Sequence, residues 1–129
     1  MSFDWTDYLV VANKLVSMAA DRKLAEGYYR TAISRAYYAA FNKAKEALPP
    51  SHLHNLPKNA DVHVRVRQTY EGGSTPNEKQ IGDDLDTLRI ARNLADYNPA
   101  WTDARKQCYA ELRKAKRIIG RLGNISPQV

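Results

Sequence analysis

The chain has 129 residues, of which 20 are Lys or Arg and 14 are Asp or Glu, giving a formal net charge of +6 at pH 7. This length predicts one domain, spanning residues 1–129, that can bury its own hydrophobic core. The single cysteine, Cys108, excludes an internal disulfide and a thiolate-cluster zinc site, and it suits a reducing compartment, so we expect a cytoplasmic protein. We expect neither a signal peptide nor a membrane span, because no stretch approaches 18 apolar residues. The positive charge permits a phosphate-rich or acidic partner without requiring one.

Apolar residues recur at helical spacing through most of the sequence, and capping residues and prolines mark the helix ends. The first helix is predicted to begin after the N-cap Asp4 and to end near Ala20. The second is predicted to begin after Asp21 and to continue for about 25 residues, until Pro49 and Pro50 stop it. We expect this long helix to be the central element of the fold.

Four tyrosines, Tyr28, Tyr29, Tyr37 and Tyr38, are distributed around the second helix, because a helix turns by about 100° per residue. A helix with large aromatic residues on several sides is typically buried on more than one side. We therefore expect the bundle to cover part of this helix and a second copy of the chain to cover another part. This pattern predicts a homodimer.

Residues 51–58 are predicted to form a polar loop, and the pattern that follows them is ambiguous. Residues 61–67 (DVHVRVR) alternate between polar and apolar types, as in a β-strand. No other segment alternates, and an isolated strand would leave its backbone groups without partners. We therefore predict a short helix that ends at Gly72 and Gly73.

Two further helices complete the predicted fold. Thr75, Pro76 and Glu78 form a strong start signal, with Thr at the N-cap, Pro at the first helical position and Glu completing a capping box. This helix is predicted to end near Tyr97, and the last helix to extend from the N-cap Thr102 to Gly123. The core-facing seam of the last helix consists of Cys108, Leu112, Ala115, Ile119 and Leu122. The predicted fold class is all-α, an up-and-down bundle of four to five helices.

A charged residue interrupts the apolar stripe of the helix that begins at Pro76. The stripe consists of Ile81, Leu85, Leu88 and Ala95. Arg92 lies on the same face, where an unpaired guanidinium would be costly, and Arg89, Asn93 and Asp96 lie on the adjoining flank. In one interpretation Arg92 and Asp96, one turn apart, form a structural ion pair. In the other, Arg92 binds phosphate or acts in catalysis, because Arg stays charged and holds phosphate oxygens bidentately.

The second helix carries a further set of polar residues. Glu26 and Arg30 are one turn apart and are predicted to form a solvated ion pair. Arg35 and Tyr38 lie in the crowded segment SRAYYAAF, residues 34–41. We expect Arg35 to pair with Asp96 or another carboxylate, with direct contact to a ligand as the alternative.

Neither a metal nor a cofactor is expected. His52, His54 and His63 lack the spacing of a helical metal site and are predicted to be solvated loop residues. Cys108 lies on the apolar seam and is predicted to be a buried small side chain. The last helix carries seven basic residues against Asp103 and Glu111. This excess indicates either a solvated face or a landing surface for RNA or DNA.

Two segments together resemble the small prokaryotic HEPN domains. The first, Glu26 to Phe41, contains Glu26, Arg30 and SRAYYAAF, and the second is a Leu-Arg helix that ends in LADYNP, residues 94–99. The similarity extends over most of the chain. It implies an all-helical bundle, a homodimer, and an association with nucleotidyltransferases or with toxin, defence and other mobile systems. Many members of that family are metal-independent RNases.

The catalytic pattern of that family is an Arg followed, after four to six intervening residues, by a His, often with a polar residue directly after the Arg. Arg92 and Asn93 match the first two positions. Four intervening residues after Arg92 the chain has Tyr97, whose ordinary pKa near 10 makes it a poor general base, and six after Arg89 it has Asp96. The resemblance thus implies catalytic roles for Arg92 and Asn93 together with weak or absent RNase activity. The candidate binding residues are Arg35, Tyr38, Arg89, Asp96 and Tyr97.

Two functions remain open from the sequence. The first is a HEPN-like module in RNA- or nucleotide-linked regulation or defence, of the toxin–antitoxin type, with a nucleotidyltransferase-like protein partner. The second is a non-catalytic, dimeric protein–protein interaction module in which the ridge around Arg92 is only an ion-pair network. No membrane partner is expected in either function.

Overall fold

The computed structural model describes residues 2–124, and every regular element within them is an α-helix. The helices are α1 (Thr6–Ser17), α2 (Ala25–Glu46), α3 (Pro50–Leu53), α4 (Asp61–Glu71), α5 (Pro76–Tyr97) and α6 (Ala104–Leu122). The all-α helical bundle predicted from the sequence is confirmed. The additional element is α3, a single turn that begins at Pro50, directly before the predicted loop, extends into it and has no buried residue.

The central element is α2, which packs against α1, α5 and α6 and also contacts α4. Its buried residues include five alanines, which allow the neighbouring helices to approach closely: Ala32, Ala36, Ala39, Ala40 and Ala44. Tyr29 and Tyr37 are buried, and Tyr28 and Tyr38 are partly buried, by helices of the same chain. These rings therefore do not require a second subunit to cover them, and the homodimer stays a prediction.

The alternating segment 61–67 is helical, as predicted, and belongs to α4. Val62 and Val66 are one turn apart, and both face the core, with Val66 fully buried. Val64 lies on the other side of the helix and is 38% exposed. The alternation is thus compatible with a helix because only two of the three valines are needed for packing.

The start of α5 matches its sequence signal. Thr75 lies at the N-cap and its hydroxyl accepts a hydrogen bond from the Glu78 backbone N–H at 3.1 Å. The predicted starts of two other helices are wrong by a few residues. The Asp21 carboxylate accepts from the Lys23 N–H at 3.0 Å and forms a turn, so α2 begins at Ala25. No side chain caps α6, which begins at Ala104, two residues after the predicted N-cap Thr102.

An ion pair between a buried carboxylate of α5 and an arginine of α6 that is 47% exposed joins these two helices. The Asp84 carboxylate, only 5% exposed as a residue, accepts from Arg117 Nε at 3.1 Å and from Gln80 at 3.1 Å. The apolar seam of α6 is largely as predicted, and Cys108 is buried. Ile118 is fully buried, whereas the predicted Ile119 is only partly covered. Across residues 2–124, no helix has both the length and the hydropathy that a membrane span needs.

Candidate functional site

Arg92 lies near the end of α5 and connects that helix to α2. Its Nε donates to Asp96 Oδ2 at 3.0 Å, its NH1 donates to Asn93 Oδ1 at 2.9 Å, and its NH2 donates to the Tyr38 hydroxyl at 2.5 Å. The ion pair between Arg92 and Asp96 is therefore present. The contact with Tyr38 could not be read from α5 alone, because it crosses to another helix.

Three tyrosine rings surround the Arg92 guanidinium. Its Cζ atom lies 5.0 Å from the Tyr38 ring centroid, 5.4 Å from that of Tyr97 and 5.8 Å from that of Tyr37. These distances fall within the range of cation–π attraction. The Arg92 side chain is 14% exposed, whereas Tyr97 is 71% exposed. The guanidinium is thus held between two buried or partly buried rings and one ring that stands in solvent.

We call Tyr38, Arg92, Asn93, Asp96 and Tyr97 the Arg92 cluster. Its single carboxylate, on Asp96, also accepts a hydrogen bond from Ser34 Oγ at 3.1 Å. The contact from Arg92 NH2 to the Tyr97 hydroxyl is long, at 3.5 Å, and one N–H of NH1 has no acceptor within residues 2–124. One N–H of the guanidinium is therefore not used in a hydrogen bond within the described residues, while the bond to Asp96 is kept.

A histidine that the sequence placed in a loop lies beside this cluster. His63 belongs to α4, and its Nδ1 lies 2.6 Å from the hydroxyl of the buried Tyr37. Its ring stacks on Phe41 with a centroid distance of 4.2 Å. The prediction that His63 is a solvated loop residue is wrong, because α4 turns this residue toward α2. Residues three apart share one face of a helix. If residues 61–71 are helical, His63 therefore lies on the same face as the buried Val66, and this spacing predicts that His63 faces the core.

The environment of Tyr37 and His63 fixes their protonation states. Burial raises the pKa of Tyr37, so its hydroxyl stays protonated. Burial lowers the pKa of His63, and the nearby charges of Arg92, Arg89 and Lys45 lower it further. His63 is therefore neutral at pH 7. Its Nε2 makes no hydrogen bond to the described residues and is not among their buried unpaired atoms, so this nitrogen reaches solvent.

Arg89, which the sequence placed on the same ridge, serves a different contact. Its NH2 donates to Asp86 at 3.1 Å, and Asp86 also lies 3.4 Å from Arg67 of α4. The three charges link α4 to α5. The positive charge of Arg89 also lies near His63 and Tyr37 and lowers the pKa of both groups.

Arg35 does not pair with Asp96, contrary to the sequence expectation. Its Cζ lies 4.8 Å from the Tyr8 ring centroid and 5.3 Å from that of Tyr38, and no carboxylate of residues 2–124 lies within ion-pair distance. The neighbouring Ser34 faces α5 and Asp96, and one residue further along a helix the side chain points about 100° away. Arg35 therefore faces α1.

Arg30 is more than a partner of Glu26. Its Nε donates to Glu26 at 2.9 Å, as predicted, but its NH1 donates to the carbonyls of Ala95 at 3.1 Å and Asn98 at 2.8 Å. Its NH2 donates to the carbonyl of Trp101. The prediction of a simple solvated pair is thus wrong, since Arg30 closes the end of α5. It joins the two segments on which the family resemblance rests.

The basic residues of α6 are partly committed to contacts within the chain. Lys114 pairs with Glu111, Arg117 with Asp84, and Arg121 donates to Asn77. The exposed remainder consists of Arg105, Lys106, Arg113 and Lys116. The part of the chain that the structure describes contains no group of three or more His, Cys, Asp or Glu residues that could hold a metal ion.

A sequence model of the HEPN domain matches residues 13–125. The chain belongs to the HEPN family. This family assignment covers α2 and α5, the two helices that carry the Arg92 cluster, and it links the chain to RNA- and nucleotide-related modules of toxin and defence systems. HEPN domains often dimerise. No curated protein and no solved structure matches this HEPN chain significantly.

Proposed function

We propose that this HEPN domain binds the phosphate of RNA or of a nucleotide through the Arg92 cluster and has weak or no RNase activity. The observation that carries this proposal is the Arg92 guanidinium, which keeps an N–H of NH1 free beside the exposed Tyr97. Guanidinium groups bind phosphate oxygens with short, charge-assisted hydrogen bonds. The other N–H of NH1 donates to Asn93, and this hydrogen bond holds the guanidinium in one orientation.

The positive charge near the cluster exceeds the negative charge. Arg92 faces one carboxylate, that of Asp96, while Arg35 also lies near the Tyr38 ring and has no carboxylate partner in residues 2–124. An incoming phosphate therefore meets a surface that attracts it. Because this attraction is electrostatic, RNA affinity should fall as salt rises, with a slope of about 0.7 per phosphate contact for a single strand.

Weak cleavage follows from the residues available for proton transfer. A metal-independent RNase must remove the proton of the ribose 2′-hydroxyl, and at the family's His position this chain has the phenol of Tyr97. The Asp96 carboxylate is held by Arg92 and Ser34. Without a general base, the rate is expected to be lower by a factor of roughly 10²–10⁴.

His63 supports a second candidate function, which is cleavage with a base supplied by α4. The ring centroid of His63 lies 6.1 Å from that of Tyr38, whose other contacts include Arg92. The Tyr37 hydroxyl can donate to or accept from Nδ1, so it can support either neutral tautomer of His63. In the tautomer that carries its hydrogen on Nδ1, the exposed Nε2 is a free base.

One assay separates these functions. Labelled RNA is incubated with the protein in EDTA, using wild type, Arg92→Ala, Tyr97→His and His63→Gln. We expect binding that Arg92→Ala abolishes, little cleavage by wild type, and gained cleavage in Tyr97→His. Robust wild-type cleavage that both Arg92→Ala and His63→Gln abolish would instead establish His63 as the base. Arg65→Ala, at an exposed arginine of α4, is the matched control and should behave as wild type.

The stability of Arg92→Ala distinguishes phosphate binding from a purely structural ion pair. Asp96 keeps its bond from Ser34, and its side chain is 25% exposed, so the loss of Arg92 leaves a carboxylate that water can reach. We therefore expect a loss of only about 1–2 kcal/mol, below the range for a fully buried pair. A loss above about 3 kcal/mol with unchanged RNA affinity would favour the non-catalytic interaction module.

We further propose that the domain forms a homodimer and acts with a nucleotidyltransferase-like partner. The apolar surface that a second copy would cover lies on α5, where Ile90 is 48% exposed and Tyr97, two turns later, is 71% exposed. This face adjoins the Arg92 cluster. Light scattering at high micromolar concentration should give twice the monomer mass, and Ile90→Lys should reduce it. A monomeric wild type would refute the dimer but would leave phosphate binding intact.

A further inference from the structure

A groove lies between α1 and α2, and Tyr38, which contacts Arg92, is one of the residues that line it. Its volume is about 370 Å³, within the range of small-molecule sites. The residues that line it, which we call the Trp5 groove, are Trp5, Tyr8, Arg35, Tyr38, Phe41 and Asn42. Four of these six residues are aromatic. The groove belongs to neither the ion-pair network of α5 nor the basic face of α6.

We propose that the Trp5 groove binds a nucleobase, by stacking it on aromatic rings beside the Arg35 guanidinium. This inference rests on the proposed function, because the base would belong to the same RNA or nucleotide whose phosphate contacts Arg92. Rings and an arginine in one open groove are the elements with which proteins bind single-stranded nucleic acid. Stacking of this kind accepts any of the bases, since each has a π-face.

Arg35 supplies a cation with free hydrogen-bond donors. It lies between the rings of Tyr8 and Tyr38, at 4.8 and 5.3 Å from their centroids. Within residues 2–124 no acceptor lies at hydrogen-bond distance from its guanidinium, and none of its nitrogens is a buried unpaired atom. These nitrogens therefore reach solvent inside the groove, where they can donate to a base carbonyl or a ring nitrogen.

Asn42 adds a hydrogen-bond acceptor to the lining of the groove. Its Nδ2 donates to the backbone carbonyl of Tyr38 at 2.9 Å, which fixes the orientation of the amide. Its Oδ1 accepts no hydrogen bond from the described residues. An exocyclic amine of a base could donate to this oxygen. The groove thus offers both donors and an acceptor, in addition to its aromatic walls.

Tyr38 joins the groove to the Arg92 cluster. Both arginines lie near its ring, with Arg35 Cζ at 5.3 Å and Arg92 Cζ at 5.0 Å from the ring centroid. Its hydroxyl accepts the hydrogen bond from Arg92. Because Tyr38 contacts both arginines, we assign the phosphate of one nucleotide to Arg92 and its base to the groove.

The competing explanation is that these rings only anchor the segment before α1. Phe3, Trp5 and Tyr8 contact one another edge to face, with centroid distances of 5.0 to 5.4 Å. Such a cluster would stabilise the chain without binding anything. It would not respond to a base, which is the difference that the experiment below measures.

The test compares two probes of equal length and charge, a short single-stranded RNA and the same backbone without bases. Both can contact Arg92, but only the first can stack. We expect wild type to bind the base-containing strand roughly tenfold more tightly, in line with the effect of losing one stacked base. Arg35→Gln and Asn42→Ala should each reduce this ratio toward one, whereas Arg65→Gln on α4 should preserve it.

Tryptophan fluorescence provides a second readout. The chain has two tryptophans, so Trp101→Phe leaves Trp5 as the only one. Adenosine monophosphate should quench Trp5, and inorganic phosphate should not. If the Trp101→Phe variant does not fold, as judged by circular dichroism, the difference between wild type and Trp5→Phe gives the same signal.

The outcomes separate failure of the groove from failure of the proposed function. Equal affinity for the two strands, both lost in Arg92→Ala, would overturn the groove and leave phosphate binding at Arg92 intact. Affinity for neither strand would overturn both. A tenfold preference that persists in Arg35→Gln and Asn42→Ala would place base recognition elsewhere and would also overturn the groove.

Discussion

Replacing Arg30 by Ala removes the group that closes the end of α5. The Arg30 side chain is 18% exposed. It donates to four backbone carbonyls, with NH1 at 2.8 Å from Asn98 O, 3.1 Å from Ala95 O and 3.3 Å from Leu94 O, and with NH2 bonded to Trp101 O. Leu94 O and Asn98 O also accept backbone N–H groups, from Asn98 at 3.1 Å and from Trp101 at 3.2 Å, so Arg30 adds a charged donor to carbonyls at the end of α5 and in the segment that follows it.

The expected loss can be worked out from these bonds. A hydrogen bond to a charged group contributes about 1.5–3 kcal/mol, and the bonds to Asn98 and Trp101 come from different nitrogens, NH1 and NH2, so they count as two separate bonds. Their sum is roughly 3–6 kcal/mol before water is considered. Water can reach the exposed part of the site in the variant, so we expect a loss of about 3 kcal/mol in the free energy of unfolding. For a chain of this size the melting temperature should fall by about 10 °C.

Urea unfolding followed by circular dichroism measures this loss, with two comparison variants. Arg30→Lys keeps the positive charge, but one ammonium cannot reach all four carbonyls, so about half of the loss is expected. Glu26→Gln removes only the ion pair of a side chain that is 52% exposed, and should cost less than about 0.5 kcal/mol. If Arg30→Ala cost no more than Glu26→Gln, closure of α5 by Arg30 would not stabilise the fold.

Three further predictions concern the packing and the titration of the bundle. Gly82→Ala should lower the free energy of unfolding by about 1–3 kcal/mol, because its Cβ would lie 2.6 Å from a side-chain carbon and 2.8 Å from a backbone nitrogen of α4. Gly120→Ala should raise it by about 0.5–1 kcal/mol, since nothing lies within 4 Å of the added Cβ. Urea unfolding of both variants measures this contrast, and equal effects would contradict it. Arg117→Ala should lower the free energy of unfolding by about 2 kcal/mol in the same assay, since it leaves the Asp84 carboxylate, whose side chain is 7% exposed, without its cation. A loss below about 0.5 kcal/mol would show that water or Gln80 compensates fully for the missing arginine. Folding lowers the pKa of His63, so below about pH 6.5 the unfolded chain binds the proton more readily than the folded chain. Wild type should therefore lose stability relative to His63→Gln as the pH falls, by at most about 1.4 kcal/mol per pH unit. Parallel plots of unfolding free energy against pH for the two proteins would refute this.

The sequence predicts well the features that depend on a few neighbouring residues. The start of α5 could be predicted because Thr75, Pro76 and Glu78 act within one turn. The helix at 61–71 was ambiguous because three valines alternate, and burial of Val66 against other helices decides between helix and strand. The unusual position of Arg92 could also be predicted, since its apolar neighbours lie on the same helix.

The partners of these residues could not be predicted, because they lie on other helices. Tyr38 is 54 residues away from Arg92 along the chain, and His63 is 26 residues away from Tyr37. Which of them meet depends on how α2, α4 and α5 pack, and spacing within one helix carries no information on that. The expected pair of Arg35 with Asp96 does not form for this reason. The position of Arg35 along α2 directs its side chain toward α1 and away from Asp96.

The location of Arg92 in the last two turns of α5 sets how an anion can be held there. Helix N-termini bind phosphate through free backbone N–H groups and the positive end of the helix dipole. An anion at Arg92 approaches the other end, where the dipole is negative and the backbone presents carbonyls. Arg30 already occupies several of those carbonyls and brings a second positive charge to the same end. Retention of a phosphate must therefore come from side chains alone, so a single substitution can remove the affinity without disturbing the backbone.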